Sequence, residues 1–599
     1  MTDTSTGPSG PEPSWGAARQ RSTWRRILTR WSPLVVCSLA LVLVLSLAPA
    51  PRGSRAQTPP GESLPATTTT SPSLPGGAPG ATTTTVGTGR SGTTLPPPSA
   101  GQTSPSSSSV GSRATSAPGP VTAAGSAGAA AGTASSGVSR TGVSCTPGAK
   151  QFAWSTYAPP CVPAFGGNNG GATSQGVTGS TITLSYREPN SNEQATVASL
   201  AGNAYPDDVG FIEDLQTYIK YFNSQFELYG RKVVLTPYQG QGDYLEEDQG
   251  QDLAGAQADA ATAQDLGAFA DITFSLFSSQ FYDQDLAEDH VVSYGGLGYT
   301  TQWYEQYAPY EFSETPTGSA GAQGFVQLAC DRMAGLPAVY AGNSSFQSQT
   351  RVFGLIAPDN PQYTAIADEI QQGLQQTCGQ SIAKRVSYSI DVSTFEQQAT
   401  SIIAQMKSAG VTTIICGCDP LFPILLDQTA DQQQYDPEWL QVGFLDPQGR
   451  LPAQDQMAHA MSQEGQAVPA GQSEAYRVFE QADPGGTPAE QYYSIAFYTL
   501  LYVFYGLQEA GPDLTPVNLA RAYFSMPTSP PGELGVWQGG QDAFSPITQT
   551  QIGWWDPNAV SNFDGQKGAW ESCDGGQWYT FSNPATWAPD HTQLSCFGR

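Results

Sequence analysis

Residues 351–419 constrain the fold more than any other stretch, because strand-like and helix-like patterns alternate there within one short run. The short apolar or β-branched runs have strand length, and the segments between them repeat apolar residues at helical spacing. The strand patterns are 352–356, 382–390 and 411–416, and the helical patterns between them are 363–374 and 395–406. Strands that alternate with helices predict parallel strands joined by right-handed crossovers. The sequence therefore predicts a doubly wound α/β layer.

An earlier stretch has the same alternation and predicts a second α/β layer. Its strand patterns are 182–186, 230–236, 269–276 and 291–294, and its helical patterns are about 207–226 and 244–266. We therefore expect two α/β layers, one formed by residues 177–300 and the other by residues 351–445. In layers of this kind ligands bind beyond the carboxyl ends of the strands.

The N-terminus has the pattern of an export signal. Residues 1–30 are polar and basic, and residues 34–48 form an apolar run that is short for a membrane span. Basic residues before such a run keep the N-terminus in the cytoplasm and send the rest across the membrane. We expect residues 31–50 to be a transmembrane anchor or a cleaved signal peptide, and the pattern leaves both open.

Residues 51–144 are dominated by Ser, Thr, Pro, Gly and Ala, and they contain almost nothing that could form a core. We therefore predict a disordered tether. The folded part is expected over residues 145–599, a length sufficient for two domains.

The charge of the chain is unevenly divided. Residues 1–145 carry ten Lys and Arg against three Asp and Glu, whereas residues 146–599 carry fifteen against forty-nine. A part this acidic repels phosphate backbones and anionic lipid, which argues against a nucleic-acid partner. The acidity also keeps an exported protein soluble.

The sequence has no recognisable catalytic or metal-binding pattern. The three His residues are scattered, and the common hydrolase, nucleotide and zinc-protease motifs are absent. Cys416-x-Cys418 lacks a second ligand pair at the spacing that structural zinc needs. We expect neither an enzyme nor a cofactor.

Several short motifs occur in the order found in one protein family. They are Gly176-Val-Thr before the strand at 182, Tyr221-Phe-Asn223, Gly230-Arg-Lys-Val-Val234, Ala357-Pro-Asp-Asn-Pro-Gln-Tyr363, and the segments 395–415 and 493–511. The ordered set resembles the type I periplasmic solute-binding proteins, in particular the leucine/isoleucine/valine-binding branch of ABC transporter receptors. The resemblance covers about residues 177–560. Insertions near 301–316 and 465–485 and a Trp- and Cys-rich tail from 553 depart from it.

The resemblance implies two doubly wound lobes joined by a hinge. The first would comprise about 177–305 and 486–528, and the second about 317–450 and 529–599. It implies a receptor on the extracytoplasmic face of the bacterial membrane, which captures an amino acid, an amide or a similar solute for an ABC permease. The alternative is a membrane-tethered extracellular sensor or surface module with the same fold.

The resemblance also places ligand contacts at strand ends that face the cleft. These are Ser278, Ser279, Gly295 and Gly296 in the first lobe, and Asp359, Tyr363, Asp419 and Asp446 in the second. Asp419 or Asp446 would hold a ligand ammonium by a charge-assisted hydrogen bond. As an alternative, the Ser and Gly residues are loop residues and the Asp residues are helix caps. Aromatic residues could instead frame an aromatic or amide ligand: Tyr294, Tyr299, Trp303 and Tyr304.

The exported part contains eight Cys residues, an even number that suits an oxidising compartment. Sequence proximity suggests the pairs Cys145–Cys161 and Cys573–Cys596. Cys330 and Cys378 lie near the ends of helices that flank the second lobe, so we pair them. A bridge between Cys416 and Cys418 would be strained, and we expect these two to be free or paired elsewhere.

Overall fold

The computed structural model describes residues 137–599 except 203, 205–207, 274–277, 297, 442–444, 467, 490, 588–591 and 598–599. The predicted basic N-terminus, the signal or anchor at 31–50 and most of the tether lie outside these residues. Among the helices that are described, none combines the length and the apolar character needed to cross a bilayer.

Fourteen strands are described, and most are short. In chain order they are β1 (Gly137–Val138), β2 (Ser144–Cys145), β3 (Thr181–Glu188), β4 (Lys232–Gln239), β5 (Ala270–Asp271), β6 (Val292–Ser293), β7 (Phe353–Pro358), β8 (Lys384–Tyr388), β9 (Thr413–Cys416), β10 (Glu438–Gln441), β11 (Ala460–Glu464), β12 (Gln549–Val560), β13 (Lys567–Ser572) and β14 (Tyr579–Thr580).

The helices alternate with the strands in the central part of the chain. They are α1 (Ser191–Ala201), α2 (Asp208–Gln225), α3 (Tyr244–Asp248), α4 (Leu253–Asp265), α5 (Gln280–Glu288), α6 (Thr301–Tyr307), α7 (Gly318–Gln327), α8 (Pro361–Cys378), α9 (Phe395–Ser408), α10 (Phe422–Gln432), α11 (Asp446–Gly449), α12 (Gln454–Met457), α13 (Glu474–Ala482), α14 (Tyr493–Glu509) and α15 (Pro516–Phe524). A short π-helix, Leu328–Met333, follows α7.

The first layer is a four-stranded sheet with the order β4-β3-β5-β6, and all its pairings are parallel. One face packs on α2 and on the late helices α13–α15, whose aromatic side chains dominate a large core. The other face packs on the Ala-rich α4 and on α5. Helices on both faces make this a doubly wound layer, which confirms the predicted fold class here.

The second layer is an eight-stranded sheet with the order β13-β12-β11-β10-β9-β7-β8, and β14 pairs with β12. Strands β7 to β9 are parallel, as predicted, β10 and β11 extend the parallel order, and separate cores cover the two faces. The predicted parallel order ends at the C-terminal edge, where β12 pairs antiparallel with β11 and with β13. The short connection between β12 and β13 allows only a hairpin, since a parallel pair needs a long crossover.

One predicted helix, 244–266, is two helices in the structure. The chain turns at Gly250, whose φ is 72°, and Asp252 then caps α4 by accepting a hydrogen bond from the Gly255 N–H. Glycine adopts such a conformation without steric cost. The break sets the short helix α3 apart, and its last turn carries Glu247 and Asp248.

The disulfides Cys145–Cys161, Cys330–Cys378 and Cys573–Cys596 are present, as predicted. The expectation for Cys416 and Cys418 is wrong, because these two residues are bonded to each other. The chain turns at Gly417 as it leaves β9. The turn brings the two Cα atoms to 5.0 Å, inside the range that a disulfide spans.

Candidate ligand-binding site between the two sheets

Helix α3 of the first layer touches the second layer at the ends of its strands. Asn360, the residue that caps α8, donates a hydrogen bond from Nδ2 to the carbonyl oxygen of Asp248 at 3.3 Å. Next to it, Gln249 Nε2 donates to the carbonyl oxygen of Ile390 at 3.2 Å. The carboxyl ends of strands from two separate sheets therefore meet at α3.

The predicted first-layer residues gather beside this contact. Ser279 caps α5, and its hydroxyl donates to Glu247 Oε2 at 2.5 Å. Ser278 donates to Asp283 Oδ1 at 2.6 Å. Gly295 lies so close that an added Cβ would stand 2.6 Å from both Asp283 Oδ1 and Ser278 Oγ, so this position requires glycine.

Asp283 is the centre of a hydroxyl cluster that the sequence analysis did not single out. Its buried carboxylate accepts hydrogen bonds from Ser278, from Ser293 at 3.0 Å and from Tyr299 at 2.7 Å. Burial raises the pKa of Asp283 to about 6, and the three hydroxyl donors oppose that rise. The nearby Gly296 contributes its carbonyl oxygen to Tyr304 at 2.9 Å.

Arg187, near the end of β3, is the positively charged residue of this region. Its guanidinium contacts other side chains of the first layer. Nε donates to Asp259 Oδ2 at 2.8 Å, and both terminal nitrogens donate to the Glu247 carboxylate. The guanidinium also lies over the ring of Tyr282, 4.6 Å from its centroid. The side chain is 2% exposed, so its charge is enclosed by these partners.

Two other carboxyl groups in this region are incompletely bonded. Among the described residues, Asp248 Oδ1 and Glu193 Oε1 are buried and have no hydrogen-bond partner. Burial raises the pKa of Asp248 well above its ordinary value, and the carboxylates of Glu247, Asp419 and Asp283 add to the rise. Burial also raises the pKa of Glu193, which Arg187 opposes. Neither residue was predicted from sequence.

The residues predicted as ligand contacts in the second layer do not lie together. Asp419 is buried, accepts from Tyr388 Oη at 2.5 Å and accepts from the N–H groups of Leu421 and Phe422 at the start of α10. It thus has the cap-like contacts of the alternative interpretation, and it also acts electrostatically on Asp248. Asp359 is exposed, and Tyr363 stands in the first turn of α8.

Asp446 belongs to another part of the protein. It accepts hydrogen bonds from Ser561 Oγ at 2.6 Å and from the Trp570 N–H at 3.1 Å. It lines a cavity of about 360 Å³, whose walls include residues of three segments that pass between the layers: 314–316, 464–466 and 533–534. Burial raises the pKa of Glu464 in this cavity to about 8.

The aromatic residues that were considered as alternative ligand contacts also lie in different parts of the protein. Tyr299 reaches the hydroxyl cluster through Asp283, and the ring of Trp303 packs against Tyr299. Tyr294 lies in the first-layer core and its hydroxyl is 2.6 Å from that of Tyr523. Tyr299 and Tyr304 are therefore the members of this group that contact the candidate site directly, Tyr299 through Asp283 and Tyr304 through Gly296.

No protein-family model and no curated protein matches the sequence. Several solved structures are similar, over 65–69% of this chain. A solute-binding protein of an ABC transporter from R. palustris, in complex with 4-hydroxybenzoate, is 12% identical with a TM-score of 0.47, and 96% of it is covered. A substrate-binding protein of an ABC transporter from Aeropyrum pernix is 13% identical with a TM-score of 0.49 and 99% covered.

A leucine-, isoleucine-, valine-, threonine- and alanine-binding protein from Brucella ovis, in a closed conformation, is 12% identical to this chain. Its TM-score is 0.48, and the match covers 67% of this chain and 95% of that protein. The first two of these structures are described as binding proteins of ABC transporters, and the third as an amino-acid-binding protein.

Proposed function

We propose that this protein is an extracytoplasmic solute-binding receptor that holds a small polar ligand between its two layers. The observation that carries the proposal is the meeting of strand ends from two sheets around Asp248. This carboxyl side chain is 8% exposed, and its Oδ1 has no hydrogen-bond partner in the described part of the chain. Buried polar groups without partners are rare in proteins, so a ligand donor at this position explains it.

The mechanism is closure of one layer on the other. The ligand contacts both layers, and it therefore binds the closed form more tightly than the open form and shifts the equilibrium toward closure. Asn360 and Gln249 make two of the direct contacts of the closed form. The three segments that line the cavity near Asp446 connect the layers and would bend as they open.

The cellular setting follows from the rest of the chain. The described part contains four disulfides, which persist in oxidising compartments outside the cytoplasm. A basic N-terminus, an apolar run and a Ser/Thr/Pro/Gly-rich tether would keep the receptor near the membrane. A permease of an ABC importer would then recognise the closed form. We assign the protein no catalytic step.

Thermal unfolding of the purified full chain tests the proposal. A ligand that binds only the folded state stabilises it by RT ln(1 + [L]/Kd), about 2.7 kcal/mol at a hundredfold excess over Kd. A panel of amino acids, amides, amines, short peptides and aromatic acids should contain at least one compound that raises Tm. The same compound should slow hydrogen exchange at α3 and at the start of α8, where the layers meet.

Two results would contradict the proposal. One is a broad panel in which no compound raises Tm. The other is a Tm shift without slower exchange at α3, which would place the ligand outside the contact between the layers. A ligand that passes both measurements but is not imported by the cell would favour the sensor or surface module over the transport receptor.

A further inference from the structure

We propose that the ligand is a small organic cation that bears N–H groups, such as a primary amine or a guanidine, and that lacks a carboxylate. The proposal rests on the proposed function, since it names the class of solute for the same site. It differs from the amino-acid ligand suggested by the sequence resemblance.

The region around α3 contains more carboxyl groups than positively charged groups among the described residues. Arg187 acts electrostatically on Glu193, Glu247 and Asp259, whereas Asp248 is close to three other carboxyl groups, those of Glu247, Asp283 and Asp419. Arg187 forms ion pairs with Glu247 and Asp259, and no other Lys or Arg of the described residues pairs with this group of carboxyls. Closure therefore buries negative charge that protons or a cation must neutralise.

The pattern of unused acceptors is the second argument. Asp283 and Asp419 have their own hydroxyl and backbone donors, so they are structurally satisfied. Asp248 and Glu193 each keep a buried oxygen without a donor, and they are 8% and 1% exposed. A ligand that supplies N–H donors and positive charge would complete the hydrogen bonding of Asp248.

Among the described residues, the site has no cation that is free to pair with a ligand carboxylate. A zwitterionic amino acid needs donors for its carboxylate as well as acceptors for its ammonium. Arg187 could supply such donors only by leaving Asp259 and Glu247, which would bury two unpaired carboxylates. A second negative charge beside Asp248 and Asp283 would also be repelled. The charges of the described residues therefore favour solutes without a carboxylate.

Binding should release protons. Without ligand, burial keeps Asp248 and Glu193 protonated above the ordinary pKa of a carboxyl group. The groups that face Asp248 are Glu247, Asp419 and Asp283, and those that face Glu193 are Arg187, Asp243 and Glu247. An ammonium ion favours the charged carboxylate, so affinity should rise with pH by up to about tenfold per unit for each proton released.

Matched compounds make the experiment decisive. We would measure Tm shifts of the full chain with 1,4-diaminobutane, 1,4-butanediol and ornithine, and with 2-phenylethylamine, 2-phenylethanol and phenylalanine. Agmatine and arginine form a third set. Within each set the amine or guanidine lacking a carboxylate should raise Tm, and its neutral and zwitterionic counterparts should not. Calorimetry of the compound that binds, at pH 5.5 and 7.5, should show tighter binding at pH 7.5.

Asp248→Asn tests the assignment of the residue, because the substitution keeps the shape of the side chain and removes its charge. It should weaken amine binding about 10- to 100-fold, since a hydrogen bond to a charged group is lost. It should also reduce the number of protons released. Asp427→Asn is the matched control: Asp427 is a buried carboxyl that accepts from Gln441 within the second layer, and its substitution should leave amine binding unchanged.

The outcomes separate this inference from the proposed function. If neutral or zwitterionic solutes bind and the amines do not, the ligand class is wrong and the receptor remains. If Asp248→Asn binds amines as tightly as the wild type, the residue assignment is wrong. If no compound of any class raises Tm, the receptor proposal itself fails.

Discussion

At the scale of single residues, Glu311 is the least satisfied acid in the described structure. Its side chain is fully buried, and neither carboxyl oxygen has a hydrogen-bond partner among the described residues. Burial raises its pKa well above the ordinary 4.5, and Asp283 and Asp271 add to the rise. The folded protein thus holds a proton on Glu311 that the unfolded chain releases as pH increases.

The first prediction follows from the sign of this linkage. A raised pKa stabilises the fold at acidic pH, and that stabilisation is lost as pH rises above 4.5. Glu311→Gln removes the ionisation, so it should increase the free energy of unfolding at pH 8 relative to the wild type, by at least about 1 kcal/mol. At pH 4 the difference should be small. Urea unfolding at both pH values measures it.

Glu438→Gln is the control for that experiment, because Glu438 is an equally buried acid with a full set of partners. It accepts from Arg351 at 2.6 and 2.8 Å, from Thr413 and from the Tyr340 N–H. Breaking this pair should destabilise the protein by about 3–5 kcal/mol at either pH. If Glu311→Gln destabilised the protein equally at both pH values, our interpretation of Glu311 would be wrong.

At the scale of elements, the hairpin of β1 and β2 sets where the folded part begins. β1 pairs with β2, and the Val138 carbonyl accepts from the Ala164 N–H at 2.9 Å. Arg140, just after β1, donates to the carbonyl oxygen of Phe226 at 2.9 Å. The predicted start of the folded part was Cys145, because the residues before it have the composition of the tether.

The second prediction concerns trypsin digestion of the full chain without reducing agent. Trypsin should cut after Arg113, within the Ser/Thr/Pro/Gly-rich tether, and should spare Arg140, whose side chain is engaged. The stable fragment should therefore start at Ala114, and mass spectrometry of the product identifies it. A fragment that starts at Thr141 would show that the hairpin does not protect this segment. Reduction of Cys145–Cys161 should make Arg140 accessible.

Helices with strong local signals were predictable from sequence. Helix α8 begins with the cap Asn360 and ends at Gly379 in the left-handed conformation, and its apolar residues recur at helical spacing. The break after α3 was not predictable, because the Ala- and Gln-rich segment favours helix throughout and the turn at Gly250 gives only a weak signal. The strand-end rule led to Ser278, Ser279 and Gly295, which lie in the candidate site.

The central charges of the site could not be predicted in the same way. Arg187, Asp248 and Asp283 come from three separate segments, and the local sequence does not distinguish them from surface charges. The contacts of Arg187 and Asp283 form only when separate segments of the first layer pack together, and Asp248 in addition contacts Asn360 of the second layer. Asp446 shows where the strand-end rule fails. It follows a strand of the second layer, as the rule requires, but its side chain bonds to the β12–β13 hairpin and not to the candidate site.

At the scale of the whole molecule, the described residues include many buried acids, and burial raises the pKa of most of them. Burial raises the pKa of Asp427 and of Glu464 to about 8, and that of Glu474 and Glu509 to about 7. Each of these groups binds its proton more tightly in the folded protein than in the unfolded chain. The protein as a whole should therefore be most stable at weakly acidic pH.

The last prediction is that the free energy of unfolding falls as pH rises from 5 to 8. The folded state holds more protons than the unfolded state over this range, so the slope of stability against pH is negative. Repulsion among the many surface acids would act in the same direction, and 0.5 M NaCl screens that contribution. Urea midpoints at pH 5, 6.5 and 8 in this salt measure what the buried acids contribute. Asp427→Asn combined with Glu464→Gln should flatten the slope, since both groups titrate near pH 8. Asp574→Asn should leave the slope unchanged, because the pKa of Asp574 lies below its ordinary value and outside the range. A wild-type slope that is flat or positive would mean that these acids are charged in the folded protein, and that partners or water satisfy them.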